Sequence, residues 1–250
     1  MPAPSKRPAT SLRRRATVPT SPEAGPANAP DLRRDPDLLR LGSHACLVAR
    51  DAVMNVAEGL ANSSSLAFVT VKECEAELDE IDRYVDERIA GKLTSATPKR
   101  VKELLACLKF VLDLERIGDL VLTIVGRARA YGSQLSVQDR ADLHDMCRTL
   151  ERMLTLIHEA NANRDIQPAL AAHKLDGEMD TLRTRIYSRQ VSRKTTDVAL
   201  SLEIFLMAQA LERAGDHAKN LAEEVGHLVE GCTMRNPHRP FVAAETTSRI

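Results

Sequence analysis

Apolar and polar positions follow a helical period along most of the chain beyond residue 35. Asp35 and Pro36 supply a capping side chain and a proline at the first helical position. Apolar residues then recur at Leu39, Leu47, Val48, Val53, Val56 and Leu60, a broad stripe on one helix face. The run Asn62-Ser63-Ser64-Ser65 breaks this first helix. A second helix is predicted to about Gly91, which is placed just past its end. Thr97-Pro98 restarts the chain, and a third helix runs to about Tyr131-Gly132. Ser136 followed by Asp139 reads as a capping box for a fourth, which ends near Asn161–Asp165. Gln167-Pro168 opens a fifth that reaches about Arg193. Thr195-Thr196-Asp197 caps a sixth that continues to about Gly231. Strand-like alternation with period two is absent, so the predicted fold class is all-α with six long helices.

The pattern repeats after about 97 residues: LERIGDL begins at Leu114 and LERAGDH at Leu211. The repeat divides the chain into two tandem three-helix bundles, over residues 36–132 and 133–240, each long enough to bury a core. Residues 1–35 carry seven of the 12 prolines and few apolar side chains, and read as a disordered tail. Residues 241–250 read as a C-terminal tail. Arg13, Arg14 and Arg15 have no apolar stretch behind them, so a secretory signal is not expected.

Composition narrows the classes further. Aromatics make up only 3% and Trp is absent, which argues against the stacking surfaces that bind single-stranded nucleic acid. Lys+Arg and Asp+Glu both total 35, and this zero balance disfavours a basic nucleic-acid binder. No apolar run is long enough to span a bilayer, so membrane contact is expected to be peripheral at most. The cysteines (Cys46, Cys74, Cys107, Cys147, Cys232) are widely spread and include no CxxC, a pattern suited to reduced thiols in a cytoplasmic protein.

The chemistry of interest lies in carboxylates placed among apolar positions. Leu108, Leu112, Glu115, Asp119 and Leu122 fall at steps of three and four, on one face of the third helix. Glu212 and Asp216 follow Leu202, Phe205 and Leu206 in the sixth in the same way. Asp176 and Asp180 form a further i,i+4 acid pair in the fifth helix. Asp79 and Asp82 are their counterparts in the acid-rich second helix. Like charges at i,i+4 repel by roughly 0.2–0.5 kcal/mol on an exposed helix, and by more near a core. Two readings stay open. Carboxylates from neighbouring helices converge on a hard cation, or Arg116, Arg213 and other basic residues neutralise them. The recurrence of Glu-Arg-x-Gly-Asp favours the first, as do Gly118 and Gly215, which are costly inside a helix unless neighbours come close. His217 beside Asp216 is read as an ordinary core or surface histidine. No HExxH, Walker or GxGxxG motif and no nucleophile–base constellation occurs, so nothing points to an enzyme.

At LERIGDL and LERAGDH the sequence resembles the PhoU family, over residues 36–240 in two repeats. In each, a helix with a D/E-x-x-x-D pattern precedes one with E-R-x-G-D. The second repeat carries Asp176, Asp180, Glu212, Arg213, Asp216 and Asn220. The first departs from it: Leu78 stands four residues before Asp82, Asp79 sits one later, and Thr123 replaces Asn220. The segment EEVGHLVEGCTMRNPHRP also looks like the family's end.

The resemblance implies two related bundles, often dimeric, that bind iron, manganese, magnesium or zinc through Asp79, Asp82, Glu115, Asp119, Asp176, Asp180, Glu212 and Asp216. It implies a cytoplasmic negative regulator of phosphate uptake and of the phosphate-starvation response. The partners implied are the phosphate ABC transporter ATPase and a membrane sensor histidine kinase. The alternatives are a phosphatase-like carboxylate-bridged metalloenzyme and a purely structural helical dimer.

Overall fold

The structure is a computed structural model and describes residues 37–193 and 197–230. Its elements are α1 (Leu38–Asn62), α2 (Ser65–Leu93), α3 (Pro98–Tyr131), a 3-10 turn (Gly132–Gln134), α4 (Val137–Asn163), α5 (Ile166–Ser192) and α6 (Val198–Glu230). All elements among the described residues are thus helical, as the periodicity predicts. The two terminal tails, the Asp35-Pro36 start, the Thr195-Thr196 part of the α6 cap and the segment past Glu230 lie outside the described residues.

Local chemistry sets the helix ends. Ser63 takes a positive φ of 53°, and Ser64 then caps α2 by accepting from the Ala67 N–H at 3.2 Å. Thr97 caps α3 with Pro98 at the first position, and Asp165 caps α5 through the Gln167 N–H at 2.9 Å. Asp197 accepts from the Leu200 N–H at 2.9 Å at the start of α6. Gly91 departs from the expectation: α2 continues through it to Leu93, and Thr94 closes the helix in the right-handed conformation. No left-handed residue is needed there, because Thr94 Oγ1 donates to the Gly91 carbonyl at 3.2 Å.

α1–α3 form one three-helix bundle and α4–α6 another, with α1 packed on α4 and α3 on α6. The buried apolar residues of both bundles make one continuous core. On the antiparallel α3–α6 seam, Lys109 meets Glu224 at 3.1 Å, Asp113 meets His217 Nδ1 at 2.8 Å, and Arg127 pairs with Glu203. Arg140, near the start of α4, donates to the Gly132 carbonyl at 2.8 Å and to the Leu60 carbonyl, gathering the ends of α1 and α3.

The core stripe of α3 is Leu114, Ile117, Gly118, Val121 and Ile124. The face predicted from Leu108, Leu112, Glu115, Asp119 and Leu122 is therefore a border face, and Leu112 is exposed. Leu202 on α6 is likewise exposed. The reason is angular: apolar residues flank the acids on both sides, so two stripes fit the helical period and only packing selects one.

Asp139 and Asp142 are the buried acids among the described residues, both fully enclosed. Asp139 does more than complete a cap. Its Oδ2 accepts from the Ser136 hydroxyl at 2.6 Å, while Oδ1 accepts from Arg189 Nε at 2.9 Å and Gln190 Nε2 at 2.7 Å. Arg193 Nη1 reaches Oδ2 at 3.1 Å. Asp142 accepts from Arg185 and from Gln138 Nε2 at 2.9 Å, and its other oxygen lies 2.6 Å from Arg189 Nη1, off the hydrogen-bond angle. Burial alone would push both carboxyls up. The Ser136 hydroxyl with Arg189, and Arg189 with Arg185 and Gln138, overcome it and hold both below the ordinary carboxylate range.

Candidate functional site: two acidic seams

Gly118 and Gly215 bring the outer helices of each bundle close to α3 and α6. A Cβ on Gly118 would stand 2.8 Å from Leu78 Cδ1 of α2, and one on Gly215 would stand 3.2 Å from Met179 Cγ of α5. The clashes differ in kind. Leu78 (1% exposed) and Met179 (0%) are both enclosed, but the 2.8 Å contact obliges Leu78 to shift, whereas the 3.2 Å contact asks Met179, unbranched and pliable, to give by only a few tenths of an ångström. Gly118→Ala is expected to cost about 1–2 kcal/mol as overpacking exceeds the helix-propensity gain. Gly215→Ala is expected to be near neutral. Urea titration of the two variants checks the contrast.

In the first seam, α2 turns Glu75, Asp79 and Asp82 toward Glu115 and Asp119 of α3. Burial, then the Asp119 charge, raises the Glu115 carboxyl; Asp82 and Asp79 add to this and Arg116 opposes it. Burial, Asp79 and Asp119 raise Glu75. Burial, Asp86 and Asp79 raise Asp82, again against Arg116. Arg116 reaches Glu115 at 3.4 Å and Asp119 at 3.6 Å, as ion-pair contacts only. Glu115 Oε2 is buried and accepts no hydrogen bond.

The second seam repeats this between α5 and α6. Burial and Asp216 raise Glu212, with Asp180 and Asp176 adding and Arg183 opposing. Burial and Asp176 raise Asp216, with Asp180 adding and Lys219 and His217 opposing. Arg183 Nε stands 3.6 Å from Glu212, and Lys219 Nζ pairs with Asp176. His217 turns its ring to Asp113, away from the seam's carboxylates.

All eight predicted residues therefore lie on these two seams, in fours. Glu75 was not predicted, because the 97-residue offset that aligns α3 with α6 does not align α2 with α5. The glycine contacts pair Leu78 with Met179, one helical turn out of step. In that register Glu75 and Asp79 match Asp176 and Asp180, so the first repeat keeps the D/E-x-x-x-D pattern, and Asp82 stands where the second repeat has Arg183. The readable signal is Glu75-x-x-x-Asp79 itself.

All-oxygen donors, mutual repulsion and a buried Glu115 Oε2 that accepts no hydrogen bond are features that a hard cation would relieve. Among the described residues, however, no group of three or more His, Cys, Asp or Glu is gathered closely enough to hold a metal ion. Arg116, Arg183 and Lys219 stand among the carboxylates instead, and a bound cation would have to displace them.

The class of protein is a duplicated helical bundle with a seam of acids between two helices of each half. The PhoU domain profile matches residues 43–128 and again 143–225. The chain belongs to the PhoU family. It is 26% identical over 199 residues to a phosphate-specific transport system accessory protein PhoU homologue of Thermotoga maritima, spanning 77% of this chain and 86% of that one. A homologue of the same name from Xylella fastidiosa is 25% identical over 204 residues, spanning 80% and 85%. The crystal structure of PhoU from Pseudomonas aeruginosa superposes with a TM-score of 0.68 at 25% identity, covering 81% of this chain and 97% of that one. The PhoU structure from Streptococcus pneumoniae, at 17% identity and a TM-score of 0.64, shares the fold.

Proposed function

We propose that the chain is an accessory protein of a phosphate-specific transport system and a negative regulator of phosphate uptake and of the phosphate-starvation response. It acts by binding, not catalysis, as a homodimer in the cytoplasm that contacts the phosphate ABC transporter ATPase and a membrane sensor histidine kinase. The observation that carries this reading is the duplicated acid seam on a PhoU-family fold, together with relatives named for that transport system. No helix among the described residues is long and apolar enough to cross a membrane. Affinity capture of the chain from phosphate-replete and phosphate-starved cells tests it. Recovery of the ATPase and the kinase supports the reading, and recovery of neither overturns it.

Each seam would hold a divalent or trivalent cation (iron, manganese, magnesium or zinc) through Asp79, Asp82, Glu115 and Asp119 or through Asp176, Asp180, Glu212 and Asp216. Glu75 joins the first set. The cation would neutralise repelling carboxylates and free Arg116, Arg183 and Lys219 to face a partner. In Glu212→Ala/Asp216→Ala, elemental analysis should show the second seam's metal lost while the far-ultraviolet circular dichroism is kept. Equal metal in wild type and variant would sink the assignment. Phosphatase turnover on adding Mn²⁺ or Fe²⁺ would replace the regulatory reading with an enzymatic one.

A further inference from the structure

α3 outruns α6 at the end where the chain leaves the second bundle. Lys109 meets Glu224 in antiparallel register. From that contact α3 runs eleven residues back to Pro98, while α6 runs six on to Glu230. At the helical rise per residue, the first turn of α3 overhangs the end of α6 by about 7 Å. Under this ledge lies a groove of about 490 Å³. Leu105 and Ala106 of α3 and Leu228 of α6 give it an apolar lining, and Lys99 and Lys102 stand at its outer rim. The Lys109–Glu224 pair bounds its inner end. Leu105 is 43% exposed, a leucine turned to solvent beside the last turn of α6.

We infer that this groove is the seat of the chain's own C-terminal segment, with Phe241 and Val242 packed on Leu105, Ala106 and Leu228. The occupant follows from where the chain goes. Residues 231–250 continue directly from the helix that forms one wall of the groove. Gly231, Pro237 and Pro240 oppose a helix that runs straight on. Phe241 stands eleven residues beyond Glu230, a span of up to about 36 Å, ample to double back along the ledge. Phe241-Val242-Ala243-Ala244 is the longest apolar run of the segment. Glu245, its sole acid, follows at once and falls to the lysine rim. Arg235 and Arg239 stay nearer the end of α6, where a helix favours cations. Covalent attachment sets the local concentration on the order of millimolar, so a contact of two side chains suffices. The N-terminal segment enters on another side of α3: the Leu38 carbonyl accepts from Cys107 Sγ at 3.2 Å, and Cys107 lies about 200° around the helix from Leu105. Docked, the C-terminal segment straps α3 of the first repeat to α6 of the second. Neither the acidic seams nor a transporter component enters, so this inference and the function proposed above can fail separately.

Photo-crosslinking of the full chain carrying Phe241→p-benzoylphenylalanine, mapped by mass spectrometry, tests the seat. Mixing nitrogen-15-labelled with unlabelled chain separates links within a chain from links between chains. Most links should run within one chain and fall on residues 99–109 of α3 or 224–228 of α6. Leu105→Asp, at an exposed position, should cut their yield roughly fivefold or more with an unchanged circular dichroism spectrum. Leu105→Ser is the milder variant should the aspartate fail to fold. A second measurement leaves residue 105 intact: Phe241→Asp/Val242→Asp should speed amide hydrogen exchange over residues 99–106 by roughly threefold or more and leave α4 unchanged. Links scattered over other surfaces, or a yield that a folded Leu105 variant keeps, overturn the proposal. So do links confined to pairs of chains, which make a second copy the occupant, and exchange that the Phe241/Val242 variant does not alter.

Discussion

Arg189→Met is expected to lower the unfolding free energy by about 2–4 kcal/mol, measured by urea titration at neutral pH. Arg189 stands between two carboxylates that have no access to water, Asp139 at 2.9 Å and Asp142 at 2.6 Å. Removing its charge leaves both to the remaining donors. The loss stays below the extreme for an orphaned buried ion because Arg193, Gln190 and Ser136 still serve Asp139, and Arg185 and Gln138 still serve Asp142. Pairing Arg189→Met with Asp142→Leu should recover part of the loss, since an apolar replacement removes the stranded charge as well as its partner. The acid limb should move too. Both carboxyls titrate below their unfolded range, so the stability they lend is complete above about pH 4 and is lost as pH falls through their native values. Wild type should therefore hold its structure to lower pH than the Arg189→Met variant.

Leu211→Ala is expected to cost roughly 3–4 kcal/mol, within the range for a fully enclosed leucine. Leu211 opens the LERAGDH motif, is 0% exposed, and belongs to the continuous core. The neighbouring Glu212→Gln should act in the opposite sense. Its carboxyl is raised by burial and by Asp216, so its ionised form strains the metal-free fold and a neutral amide relieves it. One motif thus joins a residue selected for packing to one that opposes folding, a conflict of the kind expected where binding is the purpose. Thermal midpoints of the two variants, taken with a chelator present, check both signs.

The six helices are readable in the sequence because their ends carry strong local signals: Ser64, Thr97, Ser136, Asp165 and Asp197 each cap a helix through a side-chain oxygen. Gly91 misleads because glycine marks helix ends only where the backbone must turn left-handed, and there it need not. The acids of α3 and α6 are readable from the repeated motif. What spacing cannot fix is the alignment of a helix with its neighbour in space. The register of α2 against α3 is set by Leu78 lodging on Gly118, and it is this contact that brings in Glu75. The Asp139–Arg189 cluster was hidden for a similar reason. Its members lie 50 residues apart in the chain, and only Ser136 at the cap hinted that Asp139 had work to do.

Arg140 has a mechanical consequence. By clasping the carbonyls of Leu60 and Gly132 at once, it ties the first turn of α4 to the end of α1 and to the turn that follows α3. Parting the repeats at this end would break both hydrogen bonds and open the core that the two bundles share.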